Sequence, residues 1–135
     1  MNGKILFVCR GNVGRSQIAK EIYEKYSGYH ADSAGIEVSK IGEKLKDKES
    51  AKDVVLAMKD YGIDISDNSR TRLTPEMIDR YDKIVVLAEK KVIPNYLKKS
   101  DKAIFWDVED SYGKDLNGQK KTIEIIEKMV LELVK

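Results

Sequence analysis

The stretch KILFVCRGNVGRSQIAKEIY, residues 4–23, decides the fold. Lys4 opens the segment, and Ile5 to Val8 is an apolar run that ends at a cysteine. A short, unbroken run of this kind reads as a strand buried on both faces. From Ser16 to Tyr26 the residues Ile18, Ile22, Tyr23 and Tyr26 recur at helical spacing, so the strand feeds a helix. Between the two lies CRGNVGRS, residues 9–16, which holds the only cysteine of the chain. A glycine-containing loop before a helix start lets backbone N–H groups converge on an anion, and the helix end adds positive potential. The same field favours Cys9 as a thiolate nucleophile.

Strand and helix patterns alternate along the rest of the chain. Tyr29 to Asp32 reads as a second strand, ending at Ser33-Ala34-Gly35, and Ile36 to Lys48 as a long polar loop. Glu49 to Tyr61 reads as a helix with Val54, Val55 and Met58 inward and Gly62 as its stop. Thr74-Pro75-Glu76 has the form of a helix start, a cap residue before a proline. Lys83 to Ala88 is a third buried strand, and Glu89 to Leu97 a short helix broken by Pro94. Ala103 to Trp106 is a fourth strand. A loop from Asp107 to Gly118 leads to a final amphipathic helix with Ile123, Ile126, Val130 and Leu133 on its core face. Strands separated by helices predict an α/β fold, a parallel sheet with right-handed crossovers in one domain spanning residues 1–135. Ligands of such sheets bind beyond the C-terminal strand ends, near a topological switch point. Cys9, Ser33 and the acidic run Asp107, Glu109, Asp110 all follow strands and are expected on that edge.

Bulk composition narrows the function. With 135 residues, 41% of them hydrophobic, the chain is long enough to bury a real core. A net charge of +2, from 25 basic and 23 acidic residues, with no basic stripe carrying interleaved aromatics, argues against a nucleic-acid partner. No apolar stretch approaches the ~20 residues needed to span a bilayer. Without a secretory leader at the N-terminus, and with one cysteine, the cytoplasm is the expected compartment. One His and one Cys are too few for the usual zinc ligand sets, so neither metal nor cofactor is expected. His30 reads as an ordinary strand residue, and the lysines at 44–48 and 98–102 as solvated surface.

A phosphate suits the Cys9–Arg15 loop. Gly11 and Gly14 let the backbone approach closely and allow positive φ, and Asn12 also tolerates left-handed geometry. Arg15 grips two phosphate oxygens with its planar fork. Cys9 attacks phosphorus in line, and Ser16 donates a hydrogen bond to the sulfur. The leaving oxygen needs a proton from an acid on another loop, so one of Asp107, Glu109 and Asp110 is expected to supply it.

These residues resemble the low-molecular-weight protein tyrosine phosphatases, whose nucleophile loop reads C-x-G-N-x-C-R-S. The likeness continues through DSAG at 32–35, YGIDIS at 61–66, LTPEMIDRYDKIVVL at 73–87 and WDVEDSYG at 106–113. It implies a four-stranded parallel sheet with helices on both faces. It also implies Cys9 as nucleophile, Arg15 as phosphate clamp, and Asp110, before Ser111-Tyr112, as general acid and base. By the same likeness Tyr112 walls the cleft, Arg10 and Val13 belong to its rim, and Asn12, Ser33 and Asn68 brace the loop. The expected partners are a phosphorylated protein or a small phosphomonoester, with neither nucleic acid nor membrane, and the expected state is a monomer.

The chain departs from that pattern at four residues, and its 36–48 loop lacks the aromatic often found as the second cleft wall. Gly14 stands where the family has a second cysteine that can trap an oxidised nucleophile as a disulfide. Asn68 stands for a bracing histidine. Ser111 stands for a proline, which is expected to loosen the acid loop. Arg10 replaces a small or apolar residue and is expected to favour acidic substrates or to pair with a carboxylate. Two neighbouring activities are also implied by the resemblance. Thioredoxin-coupled arsenate reductases relay electrons through two further cysteines, which this chain lacks. Protein-arginine phosphatases carry a threonine where this chain has Val13.

Overall fold

The computed structural model describes residues 3–135. Its strands are β1 (Ile5–Cys9), β2 (Asp32–Gly35), β3 (Lys83–Val86) and β4 (Ala103–Phe105). Its α-helices are α1 (Arg15–Ser27), α2 (Lys52–Tyr61), α3 (Asn95–Lys98) and α4 (Leu116–Val134). The strands form one parallel sheet in the order β2-β1-β3-β4. The chain moves from β1 outward to β2, then returns to the other side of β1 for β3. The loops leaving β1 and β3 therefore diverge, and the crevice between them is the switch point of the sheet.

Period-two alternation sorts the buried run of β1 onto two faces. Phe7 and Cys9 point with Val85 toward a core completed by Ile18 and Ile22 of α1, Met58 of α2 and Ile126 of α4. Leu6 and Val8 point with Ile84 and Val86 toward a second core, closed by Met77, Tyr81 and Leu97. Phe7, Leu6 and Val8 are fully buried, and each such side chain contributes roughly 1.5–3 kcal/mol. This burial makes β1 a rigid platform for the loop that follows it.

Several sequence expectations shift by a few residues. The second strand begins at Asp32, not Tyr29, because its register pairs Asp32 to Gly35 with Leu6 to Cys9. Tyr29 is half exposed outside the sheet. Gly35 is required there: a Cβ would lie 2.8 Å from the Asn12 backbone nitrogen and 2.7 Å from Val38 Cγ2. His30 likewise lies outside the strands, between Glu24 Oε2 at 2.8 Å and Asp32 Oδ1 at 2.9 Å. Tyr26 lies off the core face, its hydroxyl donating to Glu127 at 3.1 Å. The helix expected from Glu49 opens as a 3-10 turn and becomes α2 only at Lys52, ending as expected at Gly62 (φ 111°). Thr74-Pro75 opens a 3-10 helix, Pro75–Arg80, without a side-chain cap.

The 36–48 segment is not a free loop. Leu45 is buried, and Lys44 bridges to Ser69. Pro94 breaks the 89–97 segment into a 3-10 turn and α3. Helix α4 begins at Leu116, earlier than expected, because the Asp115 carboxylate accepts from the Gly118 N–H at 2.9 Å. Among the described residues, no helix is long and apolar enough to cross a membrane.

Candidate active site

The loop after β1 turns back through one residue. Asn12 has φ 55° and is the only non-glycine residue with positive φ among those described. Gly11 and Gly14 do not take the positive φ expected of them; Gly14 has φ −106°. The left-handed position falls to Asn12 because its fully buried amide is held on every side. Asn12 Nδ2 donates to Ser16 Oγ at 2.8 Å and to Ser33 Oγ at 3.0 Å. Asn12 Oδ1 accepts from the Thr71 N–H at 2.8 Å. Gly14 serves space instead. A Cβ on Gly14 would meet Ser111 Oγ at 3.2 Å, so the acid loop closes directly on the phosphate loop.

This geometry converges on sulfur. Cys9 is 2% exposed and its Sγ accepts from the Asn12 N–H at 3.3 Å. Ser16 Oγ lies 2.9 Å from the same sulfur. Ser16 Oγ already accepts from Asn12, so its own hydrogen is free to point at Cys9. Arg15, the first residue of α1, is 2% exposed and stands over the loop. Its Nη1 donates to Glu89 Oε2 at 2.8 Å and to the Val108 carbonyl at 3.0 Å. Its Nη2 lies 3.4 Å from Glu89 Oε1 and 3.6 Å from Asp110 Oδ2. Burial pushes the Glu89 pKa up, but the hydrogen bond and charge of Arg15, with Arg10 behind it, outweigh this and hold it below the ordinary value.

The residues named from sequence are mostly brought together here. Cys9, Arg10, Val13, Asp110 and Tyr112 line one cleft of about 400 Å³. Tyr112 is 74% exposed at its mouth. Asp110 Oδ1 accepts from the Tyr112 N–H at 3.0 Å, which fixes the turn of the acid loop. Asp107 is exposed and does not line the cleft, and Glu109 turns outward to Lys114 at 3.3 Å. Arg10 pairs with Glu37 at 2.8 Å.

Two expectations need correction. Asn68 does not brace the loop directly: its Nδ2 donates to Gln17 Oε1 at 3.2 Å and Glu21 Oε2 at 2.8 Å. Buried Gln17 makes the link, its Nε2 donating to the Asn12 carbonyl at 3.2 Å. Asparagine is shorter than histidine, so its amide stops one residue short. Nor does Ser111 loosen the acid loop. It is 3% exposed, and its carbonyl accepts from Gln119 Nε2 of α4 at 2.8 Å.

Glu89, Gln17, Gln119 and Arg70 were not anticipated. Glu89 had a usable signal, since it follows β3 as Cys9 ends β1. Arg70 carries none, because its partner Gly11 lies 59 positions away, and Gln17 and Gln119 read as ordinary polar residues of α1 and α4. Among the described residues, no three His, Cys, Asp or Glu side chains group as metal ligands.

A buried thiol, a left-handed asparagine and an arginine at a helix start meet at the switch point of a parallel sheet, where such sheets bind ligands. Comparison with known proteins agrees. Residues 4–135 match the family model of the low molecular weight phosphotyrosine protein phosphatases. The chain belongs to that family. It is 32% identical over 118 residues to an arsenate reductase of Brevibacillus brevis, covering 82% of this chain and 78% of that protein. It is similar to the crystal structure of the low molecular weight protein tyrosine phosphatase from T. tengcongensis, with TM-score 0.80, 30% identity and 98% of each chain covered. The YwlE arginine phosphatase of Geobacillus stearothermophilus shares the fold, with TM-score 0.81, 21% identity, and 98% of this chain and 91% of that one covered.

Proposed function

We propose that this chain is a protein tyrosine phosphatase that works through a cysteinyl-phosphate. One arrangement carries the reading: Cys9 Sγ receives hydrogen bonds inside a loop over which both Arg15 and Asp110 stand. A phosphate dianion in the loop meets converging N–H groups and the α1 N-terminus. Cys9 thiolate attacks phosphorus while the bond to the leaving oxygen breaks. Asp110, protonated, gives its proton to that oxygen. Water then attacks phosphorus, the P–S bond breaks, and Asp110 takes the proton of the water. Ser16 stabilises the departing thiolate. Arg15 holds the equatorial oxygens throughout. Tyr112 and Val13 supply apolar walls that suit an aryl leaving group.

Arsenate reduction by the relay of the cysteine-rich relatives needs two more thiols, and the chain has one cysteine. The apolar Val13 favours phosphotyrosine over phosphoarginine. The compartment proposed for this activity is the cytoplasm, with the chain acting as a monomer.

The test is hydrolysis of an aryl phosphate by wild type, Cys9→Ser and Asp110→Asn. Cys9→Ser abolishes turnover and still binds vanadate. Asp110→Asn lowers kcat by about 10²–10⁴, least for the best leaving groups. Oxyanion binding without wild-type turnover would make the chain a binding relative instead. A greater effect of Asp107→Asn would move the acid. Phosphoarginine peptide cleaved in preference to phosphotyrosine peptide would overturn the substrate assignment.

A further inference from the structure

The two ends of the phosphate loop face different walls. Gly14 lies against Ser111 of the acid loop, while the nearest atom to the open side of Gly11 is Arg70 Nη2, 3.8 Å from the position of an added Cβ. Arg70 is only 5% exposed. Its Nε donates to the Gly11 carbonyl at 3.1 Å and its Nη1 to Glu43 Oε1 at 2.9 Å. Nη2 has no hydrogen-bond partner among the described residues, yet Arg70 lines the cleft. A guanidinium so deeply buried, with two arms fixed, presents its third as a preorganised donor.

Lys48 lines the same cleft, half-buried and without an ion pair among the described residues. The surrounding acids do not compensate it. Of the acids lining the cleft, Glu37 is paired with Arg10 at 2.8 Å and Asp110 lies 3.6 Å from Arg15, while Glu43 is occupied by Arg70 at 2.9 Å. The phosphate loop needs neither Lys48 nor the free arm of Arg70, since its anion is already met by Arg15 and the backbone.

We propose that Arg70 and Lys48 form a second anion subsite beside the phosphate loop, so that the preferred substrate is a phosphopeptide with an acidic residue next to the phosphorylated one. This rests on the phosphatase reading above. The acidic side chain accepts from Arg70 Nη2 and neutralises Lys48, on the Gly11 side of the loop. A peptide with a neutral neighbour leaves both unfilled.

The test uses two phosphotyrosine peptides of equal length, with glutamate or glutamine beside the phosphotyrosine. Binding is measured to Cys9→Ser protein, so that it does not depend on turnover. The acidic peptide is expected to bind about tenfold tighter, the worth of one charge-assisted hydrogen bond. Lys48→Met and Arg70→Met, each added to Cys9→Ser, bring that ratio toward one. Any damage to the loop from Arg70→Met appears in the neutral peptide as well and cancels in the ratio. Equal affinities, or a preference that survives both substitutions, would overturn the subsite. Loss of binding of both peptides to Cys9→Ser would remove it too. Wild type that hydrolyses neither peptide, while Cys9→Ser keeps the preference, would overturn the phosphatase reading and leave the subsite standing.

Discussion

Glu89 holds the Arg15 guanidinium in place, and Glu89→Gln removes its charge while keeping its shape. The side chain of Arg15 is 2% exposed and that of Glu89 35% exposed. Breaking a wholly buried pair costs about 3–5 kcal/mol. A surface pair is worth about 0–1 kcal/mol. Solvent at Glu89 screens the interaction, so a loss of about 1–2 kcal/mol is expected near neutral pH.

The pH dependence identifies the charge as the cause. The Glu89 carboxyl is held below its ordinary value of 4.5. A group with a depressed folded pKa contributes stability above its unfolded pKa, and that stability is lost as pH falls through the folded value. Urea denaturation of both proteins, from neutral pH down through the carboxylate range, should therefore show the difference narrowing below 4.5. Catalysis moves in the same direction. Arg15 keeps the Val108 carbonyl, the more distant Asp110 and at best one neutral amide oxygen at position 89, so kcat/KM for an aryl phosphate falls, by about tenfold for each 1.4 kcal/mol of lost transition-state contact. An identical stability loss at every pH would mean that the glutamine acts through packing. Undiminished stability near neutral pH would mean that the pair contributes nothing. Either result would refute the reasoning.

Asn12→Ala removes the amide that satisfies Ser16, Ser33 and the Thr71 N–H and leaves a left-handed residue without its bracing. It is expected to destabilise the fold by about 2–4 kcal/mol in thermal or urea melts, with Asn12→Gly less damaging because glycine tolerates the backbone. Gln119→Leu frees the Ser111 carbonyl and with it the acid loop. Its kcat should fall more for poor leaving groups than for good ones, the signature of a displaced acid, whereas a uniform fall would indicate general damage.

Much of this could be read from the chain. The run from Lys4 to Val8, the loop CRGNVGRS and the alternation of strand and helix are local patterns, and each sets backbone geometry within a few residues. The strand limits depend on neighbours that the chain brings in from elsewhere. Asp32 to Gly35 pairs with β1, and Gly35 passes Asn12 with no room for a Cβ, a neighbour that comes from another part of the chain. Tyr26 fits the helical period but lies past the edge of the core, where α4 offers Glu127 instead.

The sequence by itself determined the order of elements, the glycine-containing loop after β1 and the acidic run after β4, because spacing along the chain dictates strand, loop and helix. Only the tertiary structure decided which carboxylate holds Arg15, which residue takes the left-handed turn, and that Arg70 leaves one arm open beside Gly11. Those are choices of partner. Glu89 lies 74 positions from Arg15, and Arg70 lies 59 from Gly11. Burial and charge select such pairs only once the sheet has brought its strand ends to one edge.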